Sequence, residues 1–205
     1  MPTWCGTARS PLTYDTEPLP EPSGRYDRCV SLGTLSKAYG LPGLRVGWCL
    51  GAQDLLARFL PLRDRLTICL SPVIELLACR AITHADRLIG PRLSQAECNL
   101  VTLTSWASSM SGQVECTRPA GGSTAFPRLQ VQDVDALCRH MCADQGILVV
   151  PGSCFGDPGR IRLGFGESPA LFEQGLSQLG KAIERGWLST PTTTPASPRH
   201  CAPRS

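Results

Sequence analysis

The chain has 205 residues, 42% of them hydrophobic and 18% charged, with a formal net charge of +3 at pH 7. This is enough apolar material for a sizeable core in one or two domains, and it excludes a wholly disordered or fibrous chain. No basic stripe is interleaved with aromatics and no apolar run approaches ~20 residues, so neither nucleic acid nor a membrane is an expected partner.

Residues 1–28 are rich in proline and glycine (Pro18, Pro20, Pro22, Gly24), lack periodicity and read as an irregular lead-in. Cys29–Leu32 is a short apolar strand, and Arg45–Leu50 a second one, apolar after its first residue. A helix is expected from about Asp54 to Arg65, with Leu55, Leu56, Phe59 and Leu60 on its buried side and a kink at Pro61. Ser71-Pro72 is an N-cap and first-turn pair opening a helix to about His84, with Glu75 where the helix dipole favours an acid. A long helix follows from about Arg92 to Met110. Strands are expected at Val114–Cys116 and Ser123–Leu129, then a helix from Val134 to Gln145 closed by Gly146 in the left-handed conformation. Strands at Ile147–Val150 and Arg160–Phe165 flank a loop, and a last helix runs over Pro169–Trp187. The tail after it is Pro/Thr/Ser-rich and is expected to be disordered.

Eleven cysteines are irregularly spaced, without a C-x-x-C pair, and no secretory signal precedes them; they read as thiols of a reducing cytoplasm. Cys138-Arg139-His140-Met141-Cys142 offers ligand types, but offsets of two on a helix point about 200° apart, so no metal is expected there.

The richest stretch is Ser31-Leu-Gly-Thr-Leu-Ser-Lys-Ala-Tyr-Gly-Leu-Pro-Gly-Leu-Arg-Val-Gly-Trp48. It sets Lys37 just after an apolar run, with hydroxyls at Thr34 and Ser36, a guanidinium at Arg45, and glycines at 40, 43 and 47. An amine condenses with an aldehyde, while hydroxyls, a guanidinium and close backbone approach neutralise a phosphate dianion. Pyridoxal 5′-phosphate carries both groups and is the expected cofactor. A glycine-rich turn with a solvated lysine is the bland alternative, and the number of specified positions argues against it.

Thr34, Leu35, Ser36, Lys37, Gly40, Leu41, Gly43, Arg45, Val46 and Gly47 fill the attachment pattern of the class I/II aminotransferases, and the chain resembles that family from about residue 29 to 187. Thr34 stands where the family usually has Ser or Gly, and keeps the hydroxyl. The resemblance implies the α/β fold of fold-type-I pyridoxal-phosphate transferases: the end of the large domain over 29–85, an α+β small domain over 86–187, and a tail at 188–205. It implies Lys37 as the Schiff-base lysine and proton carrier, with Thr34, Ser36 and Arg45 at the phosphate. Gly121-Gly-Ser-Thr-Ala-Phe-Pro127 resembles the family's small-domain strand; its glycines read as a turn requiring positive φ, or alternatively as a backbone edge facing the substrate. Pro151-Gly-Ser-Cys-Phe-Gly156 followed by Ile161-Arg162-Leu163 resembles the segment whose arginine receives a substrate α-carboxylate. The resemblance implies Arg162 for that role, and Arg160, at period two on the same strand, is its competitor.

Family members run to roughly twice this length. Their first half supplies an Asp on the cofactor's ring nitrogen, followed three places on by Tyr. Neither Asp15 nor Asp27 matches, and Thr13-Tyr14-Asp15 resembles the stretch just after that pair, so the chain is expected to lack the N-terminal half. The expected function is amino transfer from an amino acid to a 2-oxo acid, by a homodimer or a chain docked on a complete subunit. A lyase, decarboxylase or cyclising synthase on the same scaffold is the alternative, as is a non-catalytic module derived from the family.

Overall fold

The computed structural model describes residues 4–7, 12–14 and 22–185. Asp15, Pro18, Pro20, Trp187 and the tail from residue 188 lie outside the described residues. The lead-in holds more order than its composition suggests. Trp4–Thr7 forms strand β1, parallel to β2 (Cys29–Thr34) from Trp4↔Cys29 to Thr7↔Leu32. Such a pairing is set by tertiary context and leaves little local signature.

On its other side β2 pairs antiparallel with β3 (Gly47–Gly51), from Val30↔Gly51 to Thr34↔Gly47. The second strand was expected to begin at Arg45. It begins later because Arg45 is left-handed, at φ 54° and ψ 34°, closing a 3-10 turn over Pro42–Leu44.

The helix expected to reach Arg65 is two helices, α1 (Gln53–Ala57) and α2 (Leu60–Leu66). Pro61 sits in the first turn of α2, where its missing N–H costs nothing; as an interior residue of one long helix it would lose a bond and clash. Phe59 and Leu60 consequently face outward rather than inward. Helix α3 (Pro72–Thr83) starts at Ser71-Pro72 as expected, though the serine side chain makes no capping bond. The long helix α4 (Ala85–Ser109) starts well before Arg92: Pro91 lies inside it, exposed, and does not set its start.

Beyond α4, β4 (Val114–Glu115) pairs with β6 (Arg128–Leu129), while β5 (Thr124–Ala125) pairs with the later strand β8 (Ile161–Gly164). The single strand expected over 123–129 breaks at Phe126-Pro127, since proline has no N–H for a ladder. Helix α5 (Val134–Gln145) has the expected ends: Asp133 accepts from Ala136 N at 2.8 Å, and Gly146 caps it at φ 65°. Strand β7 (Val150–Pro151) flanks β8 opposite β5, and α6 (Pro169–Glu184) closes the described fold.

Two hydrophobic clusters result. The larger gathers Leu100, Leu103, Leu137, Met141, Ile161 and Leu179 from α4, α5, α6 and β8, with Phe165 just after β8. The smaller holds Leu35, Val46, Ala78 and Ala81, with Tyr39, Trp48 and Leu88 packed against it. Helix α4 contributes to both, and carries the lysine loop's surroundings to the rest of the fold. Leu12–Tyr14 ties in as well: Tyr14 N donates to Ala120 O at 3.0 Å, Gly122 N to Leu12 O at 2.8 Å, and the Tyr14 hydroxyl to Gly122 O. No helix among the described residues is long and apolar enough to cross a membrane.

Candidate active site

Lys37 lies in the loop between β2 and β3. The ladder ends at Thr34↔Gly47, and Leu35 N continues it with a bond to Val46 O at 3.2 Å. The ten residues left between, 36–45, turn back through Gly40 at φ 65° and the Pro42–Leu44 turn. Leu35 anchors the loop in the smaller core, and Ala38 is buried as well. Lys37 and Arg45 are exposed, and the Lys37 amine has no hydrogen-bond or ion-pair partner among the described residues. Arg45 Nη1 donates to Pro42 O at 3.2 Å, folding the guanidinium onto its own turn.

The two hydroxyls meet. Thr34 Oγ1 accepts from Ser36 N at 3.1 Å, and its proton lies between Ser36 Oγ at 3.0 Å and Val46 O at 3.2 Å. One loop therefore presents an amine, a pair of hydroxyls and a guanidinium.

Arg162 stands on the exposed face of β8, between the inward-pointing Ile161 and Leu163. Its competitor is committed elsewhere: Arg160 donates from Nε to Asp157 Oδ2 at 3.0 Å and from Nη1 to Phe126 O at 2.7 Å. Its guanidinium also lies over the Phe126 ring, 5.7 Å from the centroid. Asp157 additionally takes Arg128 Nη2 at 2.8 Å. Arg162 has no such partner among the described residues. No described bond joins Arg162 to the lysine loop, so the candidate groups sit on separate elements.

Of the two glycines in the small-domain segment, Gly122 is at φ 81° and Gly121 has Leu12 O against it, leaving no room for a side chain. This edge is thus taken by the chain's own Leu12–Tyr14. Burial pushes the Tyr14 phenol up, Glu97 adds to the shift, and Arg118 opposes it. Asp27 is an exposed turn residue. Three residues of α4 that sequence reading missed bear on the site: Arg92 lies against Gly40 of the lysine loop, and Gln95 and Asn99 bond the chain just after β8. Their signal was a polar stripe, three and four residues apart, on a helix that is otherwise half buried.

The family model described as "Aminotransferase class I and II" matches residues 21–179. The chain belongs to the class I and II aminotransferase family. It is 47% identical over 181 residues to the capreomycidine synthase of Streptomyces vinaceus, covering 88% of this chain and 46% of that protein. It is 24% identical over 168 residues to an aspartate aminotransferase of Streptomyces avermitilis, covering 77% of this chain and 41% of that protein. Among solved structures it superposes on the PLP-dependent cyclase OrfR with TM-score 0.79 and 41% identity, over 84% of this chain and 47% of that one. A PLP-dependent aminotransferase from Streptococcus suis gives TM-score 0.82 at 27% identity, over 90% and 49%. The chain thus spans about half the length of the relatives it matches.

The fold is accordingly that of the fold-type-I pyridoxal-phosphate enzymes, and family and neighbours imply pyridoxal phosphate as cofactor. The donor set fits it: an uncommitted amine for the aldehyde, with paired hydroxyls and a guanidinium for the phosphate, all on one loop.

Proposed function

We propose that this chain carries the lysine loop and carboxylate anchor of a pyridoxal-phosphate-dependent cyclising synthase, which closes a ring within an amino-acid substrate. The observation that carries this is the 47% identity to a capreomycidine synthase, beside 21–27% to the aspartate and related aminotransferases. The likeness to the cyclase OrfR, at 41% identity, supports it independently.

Pyridoxal phosphate supplies, when bound, an aldehyde and an electron-withdrawing ring. In this reading Lys37 would hold the cofactor through its Nζ and take the substrate Cα proton so that a leaving group can depart from Cβ. It would then return a proton to Cα as an internal amine adds at Cβ, losing its own proton, and closes the ring. The Thr34–Ser36 hydroxyls and Arg45 hold the phosphate. Arg45 pays for its position with a left-handed backbone, a conformation that costs a non-glycine residue roughly 1–2 kcal/mol and is kept where function requires it. Arg162 grips the substrate carboxylate bidentately and so fixes which Cα bond faces the cofactor.

The test has two parts. Incubation of the purified chain with pyridoxal phosphate, borohydride reduction and peptide mass spectrometry should place the cofactor's mass on Lys37; Lys37→Ala should lose it. Label on Lys181 instead, or on neither lysine, would remove the site. Turnover of amino acids is then compared with and without 2-oxoglutarate. A cyclising synthase converts its substrate with no 2-oxo acid present. Conversion that requires the 2-oxo acid and yields glutamate would establish transamination, the second reading, which the likeness to aspartate aminotransferases supports.

A further inference from the structure

Helix α4 touches both ends of this site with one face. Arg92, Gln95 and Asn99 follow at spacings of three and four, which stacks them along a single stripe. At one end the Arg92 guanidinium lies against Gly40, where a β-carbon would come within 1.9 Å of Cζ and 2.1 Å of Nη2. Gly40 N in turn donates to Lys37 O at 2.9 Å, so this contact bears directly on the turn that holds the lysine.

At the other end Gln95 Nε2 donates to Gly166 O at 2.8 Å and Glu167 O at 2.7 Å. Asn99 Nδ2 donates to Phe165 O at 3.0 Å and Glu167 O at 2.7 Å. These three carbonyls follow immediately on β8, the strand of Arg162. Asn99 is fully buried, and its Oδ1 has no partner among the described residues. A leucine there would strip the buried Phe165 carbonyl of its Asn99 donor. What asparagine adds is a fixed register between helix and strand end.

We propose that Arg92, Gln95 and Asn99 are positioning residues: a spine on α4, about 10 Å long from Arg92 to Asn99, that sets the separation between the lysine loop and the Arg162 strand. This rests on the reading of Lys37 and Arg162 as amine and carboxylate anchor. The spine acts through backbone. It holds the turn at Gly40 and the carbonyls of 165–167, so a change at either end is transmitted along one rigid helix.

Hydrogen exchange on the full chain without cofactor tests the spine itself. Gln95→Leu should speed exchange of the Phe165 amide, which donates to Ser123 O at 2.8 Å, and also of Gly40 and Leu41 in the distant loop, each by five- to tenfold. Arg92→Ala should do the reverse, speeding Phe165 from the lysine side. Variants that speed only their own neighbours overturn the proposal. Asn99→Leu is a third variant, and the two partly exposed positions carry the test if it fails to fold. With pyridoxal phosphate added, Gln95→Leu should weaken binding of alanine about tenfold and leave ethylamine, which lacks the carboxylate, unchanged. Equal weakening of both ligands also overturns the spine. An Arg162→Ala variant that treats the two ligands as the unsubstituted chain does would sink the anchor assignment instead.

Discussion

At the residue scale, one carboxylate decides which arginine is available. Asp157 pairs with both Arg128 and Arg160, and Phe126 supplies Arg160 with a carbonyl and a ring face. Arg162, two residues on, is left uncommitted. Arg160→Ala should therefore lower the unfolding midpoint by the equivalent of about 1–2 kcal/mol and leave amino-acid binding intact. Arg162→Ala should leave stability nearly unchanged and weaken carboxylate binding by roughly a hundredfold, since a bidentate charged contact is worth about 2–3 kcal/mol. Thermal melts and ligand titrations of the two variants, run side by side, separate the roles; exchanged phenotypes would reassign the anchor to Arg160.

A second residue sets a pH limit. Burial pushes the Cys138 thiol up to about 11 from an ordinary value of 9.0, with Asp135 and Cys154 adding to the shift and Arg139 opposing it. Below pH 9 folded and unfolded chains both hold that proton. Between about 9 and 11 only the folded chain does, so its stability falls as pH rises across that window, by on the order of 2 kcal/mol. Urea midpoints at pH 8.5 and 10.5 should converge in Cys138→Ala relative to the unsubstituted chain. An identical drop in both would remove Cys138 as the source.

At the scale of elements, the loop before β8 shows why its motif has the residues it has. Gly152 is buried, and a β-carbon on it would lie 2.1 Å from Asp157 O and 2.6 Å from Arg160 O. Both obstacles are backbone, so neither can swing aside. Gly152→Ala should cost about 3 kcal/mol and release the turn that presents Asp157; denaturant unfolding measures it, and a loss below about 1 kcal/mol would mean the loop yields. Such constraints are visible in sequence only as glycines in a pattern. Where the determinants are local the sequence was legible: α5 is bounded by Asp133 and Gly146, each acting within its own turn. The lysine loop was legible for the same reason, as its amine, hydroxyls and guanidinium lie within a dozen residues. What was hidden depends on distant partners. The strand β1 exists through β2, Leu12–Tyr14 is held by Gly121–Gly122, and the Gln95 and Asn99 amides find carbonyls more than sixty residues away. The start of α4 was placed seven residues late: the helix begins at Ala85 and carries Pro91 as an exposed interior residue.

At the scale of the whole molecule, the two cores are unequal. The lysine loop rests on four buried side chains, Leu35, Val46, Ala78 and Ala81, and the helices beside it, with the segment joining them, turn apolar groups outward, including Leu66 (83% exposed), Ile68 (80%), Val73 and Leu76. The larger core draws on three helices and the sheets after α4. Local stability follows buried apolar area and contact density, so the lysine side should open first as denaturant rises, and α4–α6 last. Native-state hydrogen exchange should resolve this as earlier loss of protection at Leu35 and Leu41 than at Phe165 or Leu137. Cofactor adds a second handle, because a ligand that binds only the folded lysine loop stabilises most the unit that contains it. At a hundred times its dissociation constant, pyridoxal phosphate should raise the first opening free energy by about 2.7 kcal/mol and the second by a smaller amount, passed along α4. Equal shifts in both would mean the chain opens as a single unit, with α4 coupling the cores more tightly than their separate packing implies.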